Sequence, residues 1–235
     1  MSRGRRLFLA AALLAALAVG LAYAAYQVSR ARCFALAAPA VCRVATTEPV
    51  VALTFDDGPT PAGLDALLPE LERRGVRATF FLVGAEAAER PDLVRRLVAS
   101  GHEVGNHSWS HVRMIGRGRG FYDAEIHRTN QALRAAGAEP VLFRPPDGKK
   151  LLGLPLALRR HDLKMIMWTV EDPATRDPAA FAQAVTSQVR GGDIILLHPM
   201  YADPTARRAL PMILGGLAAK GLRPVTVSEL LAKAA

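Results

Sequence analysis

Two carboxylates stand side by side at Asp56 and Asp57 in "TFDDGPT", directly after the apolar run "VVAL". Two imidazoles stand four residues apart at His107 and His111 in "NHSWSH". On a turn of helix or in a tight loop, that spacing points both rings one way. Two His and one carboxylate make a common site for a divalent metal with positions left open for water or substrate. Each piece also has a plainer explanation. Asp-Asp-Gly-Pro makes a turn at little cost, and a lone H-x-x-x-H is weak evidence of ligation. Ser108 and Ser110 could hold the loop by hydrogen bonds or simply be turn polarity. The choice depends on where the surrounding elements bring these side chains.

From residue 50 onward, short apolar runs recur: "VVALTF", "ATFFLV", "HEVGNH", "VLFRPP", "LKMIMWTV", "DIILLH" and "RPVTV". Between them lie stretches with helical spacing, such as "PAGLDALLPELERRG", where Leu64, Leu67, Leu68 and Leu71 share a face and Gly75 is a stop. The segment 151–161 is less clear, because Pro155 interrupts it. Seven βα-like units imply one domain with a parallel sheet and helices outside it. Asp56 and Asp57 end the first run, and His107 and His111 follow the third. Arg144 ends the fourth, Glu171 and Asp172 the fifth, and His198 the sixth. In a parallel α/β barrel, all those ends meet on one face.

Five motifs, "TFDDGP", "HSWSH", "FRPPDG", "WTVEDP" and "LLH", occur in the order and approximate spacing of the polysaccharide deacetylase family, also described as the NodB homology domain or carbohydrate esterase family 4. The resemblance covers roughly residues 49–235. It implies a distorted (β/α)7 barrel and metal-dependent hydrolysis of N-acetyl groups on amino sugars. Carried over, Asp57 resembles the metal ligand beside His107 and His111, and Asp56 the general base on the attacking water. Arg144 resembles the cationic partner of Asp56, and His198 the acid that protonates the leaving amine. The backbone N–H of Asp147 would hold the oxyanion, and Trp168 and Leu196 would line the acetyl pocket. By composition alone, Trp168 and Leu196 read as core. The implied metal is zinc, with cobalt, nickel or manganese also suited to the donor set. The implied partner is an N-acetylated glycan.

Three departures from the family pattern stand out. Asp147 takes the place of an aromatic residue, which removes a sugar-stacking surface and adds charge at the mouth. The fourth motif has Glu171 and Asp172 but lacks the usual Asp-Trp pair, so either acid could orient His198. Pro199 and Tyr201 follow the last motif without a readable role. Two other readings fit the same residues: hydrolysis of another amide or an ester at the same metal, and a non-catalytic glycan-binding protein of the envelope.

Net charge is +9 over 235 residues. Residues 1–49 hold six of the 30 Lys/Arg and one of the 21 Asp/Glu, a net of +5, which leaves +4 for the remainder. With no basic block interleaved with aromatics, nucleic-acid binding is not expected. Arg3, Arg5 and Arg6 precede an uncharged, mostly apolar run, residues 7–26, long enough to span a bilayer. Residues 1–26 are therefore expected to be a short cytoplasmic start and a transmembrane anchor, with the catalytic domain outside the cytoplasm. A signal peptide cleaved near "AYA", at about residue 24, is the rival, and would leave a secreted or periplasmic protein. Residues 27–48 read as a linker carrying Cys33 and Cys42, which an exported chain can oxidise to a disulfide. The domain proper is expected over 49–235, as a monomer.

Overall fold

The computed structural model describes residues 3–234. A single helix, α1 (Arg3–Arg30), carries the apolar run and is long and apolar enough to cross a membrane. A short strand, β1 (Ala40–Val41), follows inside the expected linker. Cys33 and Cys42 are bridged there, with Cα atoms 5.1 Å apart.

All seven apolar runs are strands: β2 (Val50–Asp56), β3 (Thr79–Leu82), β4 (Glu103–Asn106), β5 (Leu142–Phe143), β6 (Lys164–Ile166), β7 (Ile194–Leu197) and β8 (Arg223–Val225). Every pairing between them is parallel, in the order β1-β6-β5-β4-β3-β2-β7, with β8 on the first half of β2. The ring closes through backbone just past β6. Val170 bridges Ile195, Thr169 N–H donates to the Ile194 carbonyl at 3.0 Å, and Leu196 N–H donates to the Val170 carbonyl at 2.9 Å. A single bridge stands there in place of a strand ladder.

Helices cover the outside: α2 (Pro61–Arg73), α3 (Gly84–Glu89), α4 (Pro91–Ala99), α5 (Arg119–Ala135), α6 (Gly153–Arg160), α7 (Pro178–Gln188), α8 (Thr205–Ala219) and α9 (Val227–Leu231). Thr60 caps α2 by accepting the Gly63 N–H, and Pro61 fits the first turn, where a missing N–H costs nothing. The same reason lets 151–161 contain a helix: Pro155 lies in the first turn of α6.

Strand alternation sorts the side chains. Val51, Leu53 and Phe55 of β2 pack outward with Leu64, Leu67 and Leu71 of α2. Val50 and Ala52 face inward with Phe81, Ile166, Trp168 and Leu196. Period two then puts Thr54 and Asp56 on the interior side of β2, at its C-terminal end.

Candidate active site

Asp56 is buried, and so is the guanidinium that meets it. Arg144 Nη1 donates to Asp56 Oδ1 at 2.6 Å and to Thr54 Oγ1 at 2.7 Å. The Thr54 hydroxyl donates onward to the Ile195 carbonyl. The other guanidinium nitrogens donate to the carbonyls of Ile166 and Met167, at 3.4 and 3.2 Å. The Phe81 ring lies 4.2 Å from the guanidinium carbon. A fully buried arginine with this many acceptors holds one position, and it fixes Asp56 there.

Asp57 comes off the strand in the left-handed region, at φ 75°, followed by Gly58 at φ 69°. A Cβ on Gly58 would lie 2.9 Å from Thr60 N and about as close to Met200, so this turn needs glycine. The turn brings Asp57 to both histidines, and Asp56 Oδ2 also lies 3.6 Å from His107 Nε2.

His107 follows β4. Its Nδ1 lies 2.8 Å from the Arg144 carbonyl, which can only accept, so the proton sits on Nδ1 and the Nε2 lone pair is free. Burial lowers the His107 pKa against the pull of Asp56 and Asp57. His111 lies at the loop's far end, also at positive φ (53°), as does Ser108 (64°). Ser108 Oγ accepts the His111 N–H. Asn106 holds the loop base through the Ser108 N–H and its own amide to Asn130. Glu125 of α5 accepts the N–H groups of Trp109 and Ser110 and the Ser110 hydroxyl, each at 2.9 Å. Six non-glycine residues among those described have positive φ, and four of them, Asp57, Ser108, His111 and Asp147, belong to this site. Such strain collects where function requires a fixed geometry.

The donor atoms of Asp57, His107 and His111 all lie within 4.8 Å of one another. Asp57 Oδ1 is 3.6 Å from His107 Nε2 and 3.2 Å from His111 Nε2. Donors at ~2.0–2.2 Å around one ion are separated by about that much. Asp57 Oδ1 is also buried and makes no hydrogen bond of good geometry. An orphaned carboxylate oxygen facing two imidazoles fits a divalent cation. Burial alone would raise the Asp57 pKa, but His111, His107 and His198 together outweigh it and lower it, so the ligand is ionised.

His198 lies just past β7. Its Nδ1 is 2.9 Å from Asp172 Oδ2, and its backbone N–H donates to the same oxygen at 3.1 Å. Burial alone would lower the His198 pKa. The Asp172 hydrogen bond and the fields of Asp56, Asp172 and Asp57 outweigh burial and push it up to about 9. Of the two acids left open by the sequence, Asp172 therefore contacts the histidine. Glu171 does not: it accepts from Trp168 Nε1 at 2.7 Å and pairs with Arg32.

Trp168 and Leu196 are both buried in the interior cluster. Gly148, at φ 64°, lies where a Cβ would come within 2.8 Å of the Trp168 ring. Asp147 is exposed at φ 53°, and its carboxylate accepts from Arg113 Nε at 2.8 Å. Tyr201 donates its hydroxyl to Glu86. The sequence reading missed Asn106, Glu125 and Asn130. One signal for Glu125 was available: it shares the apolar face of α5 with Tyr122, Ile126 and Leu133.

Comparison with known proteins bears on this constellation. The family model described as polysaccharide deacetylase matches residues 43–166. The chain is 38% identical over 162 residues to the chitooligosaccharide deacetylase of Sinorhizobium fredii, covering 67% of this chain and 75% of that protein. It is 32% identical over 193 residues to a peptidoglycan-N-acetylglucosamine deacetylase of Bacillus cereus, covering 80% and 91%. A family 4 carbohydrate esterase from Streptomyces lividans, solved with acetate, superposes with a TM-score of 0.71 at 36% identity, covering 81% of this chain and 98% of that one.

Proposed function

The chain belongs to the polysaccharide deacetylase family, and from that premise we propose that it removes acetyl groups from N-acetylated amino sugars of a glycan outside the cytoplasm, using a divalent metal held by Asp57, His107 and His111. The observation that carries this reading is the orphaned Asp57 Oδ1 facing two imidazoles, with an arginine-clamped carboxylate on one side and a histidine–aspartate pair in the same field. Zinc suits two His and one Asp best, and cobalt, nickel or manganese would serve. When bound, the metal supplies Lewis-acid polarisation of the acetyl carbonyl and lowers the pKa of the attacking water.

The chain's own residues do the rest. Asp56, held in place by Arg144, takes the proton of the water as its oxygen bonds to the carbonyl carbon. The backbone N–H of Asp147 steadies the oxyanion. His198 is aligned by Asp172 through Nδ1, so its other nitrogen, Nε2, carries the proton outward. That proton goes to the sugar nitrogen as the C–N bond breaks, leaving acetate and a free amine. Trp168 and Leu196 enclose the methyl group, which keeps the acyl pocket small.

The reading extends to location. A retained span over residues 7–26 would leave the domain on the outer face of the membrane. Support comes from α1, which is long and apolar enough to cross a membrane. Acetate release from N-acetylglucosamine oligomers by the full chain, reconstituted in turn with each metal, tests the activity. No acetate with metal demonstrably bound would overturn it.

A further inference from the structure

The outer end of α1 is built into the mouth of the site. The apolar run ends at Tyr26, and the helix continues to Arg30, about 6 Å further. Ser29 is buried, and its carbonyl accepts the Lys150 N–H at 3.1 Å. The buried Lys150 ammonium donates to the Ala31 carbonyl. Lys150 lies three residues from Asp147, a reach of at most about 11 Å. Arg32 pairs with Glu171, which holds the Trp168 indole. The disulfide, the pairing of β1 with β6, and the Val44 N–H to the Gly192 carbonyl take up the slack that a free stalk would have. The mouth is thus fixed within a few helical turns of the apolar boundary.

That boundary is cationic. Arg30 Cζ and Lys149 Nζ lie 5.5 and 5.4 Å from the Tyr26 ring centre. The neighbouring acids are engaged: Asp147 with Arg113, and Glu171 with Arg32. Arg30 and Lys149 have no carboxylate partner among the described residues. Two such cations at the depth where an apolar span ends match a phosphate at headgroup level.

We propose that the substrate is an N-acetylated glycan linked through phosphate to a lipid of the same membrane, its phosphate held by Arg30 and Lys149 while an adjoining sugar enters the site. The proposal rests on the acetyl-hydrolase reading and on a retained span.

The test uses the full chain, metal-loaded, in neutral phospholipid vesicles, with a short N-acetylglucosamine oligomer in three forms. One is attached to a dialkyl lipid through phosphate, one to the same lipid through a neutral ether, and one is free in the presence of vesicles containing anionic phosphatidylglycerol. The phosphate-linked form should exceed the ether-linked form by on the order of tenfold in kcat/KM, and both should exceed the free oligomer. In an R30Q/K149Q double variant, the ratio of phosphate- to ether-linked rates should fall to about one. Binding of the phosphate-linked form to metal-free protein, followed by native mass spectrometry, should weaken in parallel. Equal rates for the two lipid-linked forms, a free oligomer turned over as well as either, or a ratio unmoved in the double variant would overturn the inference and leave acetyl hydrolysis standing. Acetate from none of the three would overturn both.

Discussion

Arg144 Nη1 reaches Asp56 Oδ1 at 2.6 Å, with both side chains out of solvent. Two charges taken from water are tolerated only as a pair with their remaining donors satisfied, and this guanidinium has Thr54, Ile166 and Met167 as further acceptors. Removing one partner leaves the other charged and alone. Arg144→Ala should therefore cost about 3–5 kcal/mol of unfolding free energy in urea. An Asp56→Ala, Arg144→Ala double variant should cost less than the sum of the two single losses. Additive losses would show that the pair is not coupled.

The adjacent aspartates should fail differently. Asp57→Ala leaves two imidazoles, so metal content should fall and excess metal should restore part of the activity. Asp56→Asn still accepts from Arg144 but has no basic carboxylate. It should keep its metal and lose about 10²–10⁴ in turnover, the usual worth of a general base, with no rescue by added metal. Elemental analysis beside acetate release decides. Metal lost from Asp56→Asn but kept by Asp57→Ala would reverse the two roles.

The Cys33–Cys42 bridge closes a short loop that contains β1. In the chain-entropy view, a loop of this size is worth about 2–3 kcal/mol. A Cys33→Ser, Cys42→Ser variant should lose about that much in urea unfolding and still release acetate from a soluble oligomer. Thiol labelling of the denatured, unreduced protein should find no free thiol; two labelled thiols would contradict the bridge.

What the sequence reveals here follows from periodicity and residue type. Alternation in "VVALTFD" is enough to turn Asp56 inward, and strand ends in a parallel barrel bring His107, Arg144 and His198 to the same face. Where period disappears, so does legibility. Glu171 and Asp172 lie on irregular backbone, where nothing tells which of two neighbouring acids faces the histidine. β1 is two residues long, too short to show alternation, so 40–41 reads as linker although it pairs with β6. Arg32 meets Glu171 across 139 residues of chain, a contact that only the closed fold creates. Glu125 was legible in principle, as a lone acid on an apolar helix face, but its purpose depends on a loop whose conformation the sequence does not state.

The division of labour between Asp172 and Glu171 has a signature in pH. Burial lowers the His198 pKa, but the Asp172 hydrogen bond and the fields of Asp56, Asp172 and Asp57 together raise it from its ordinary 6.5 to about 9, so the protonated form persists through neutrality. If His198 is the acid, turnover must fall as pH rises through its pKa. Asp172→Asn removes the hydrogen-bonding charge, the pKa falls, and the alkaline limb of the pH–rate profile should move to lower pH. Glu171→Gln touches Trp168 and Arg32 instead, so its limb should stay in place while KM rises. A bound cation lowers the limb in every variant alike, so the comparison between proteins is what counts. Stability gives a second reading on metal-free protein. Because the folded pKa is the higher one, the contribution of the pair is complete below pH 6.5 and is lost as pH rises through about 9. Asp172→Asn should flatten that alkaline loss, and Glu171→Gln should leave it unchanged. A limb that moves in Glu171→Gln and stays in Asp172→Asn would transfer the orienting role to the other acid.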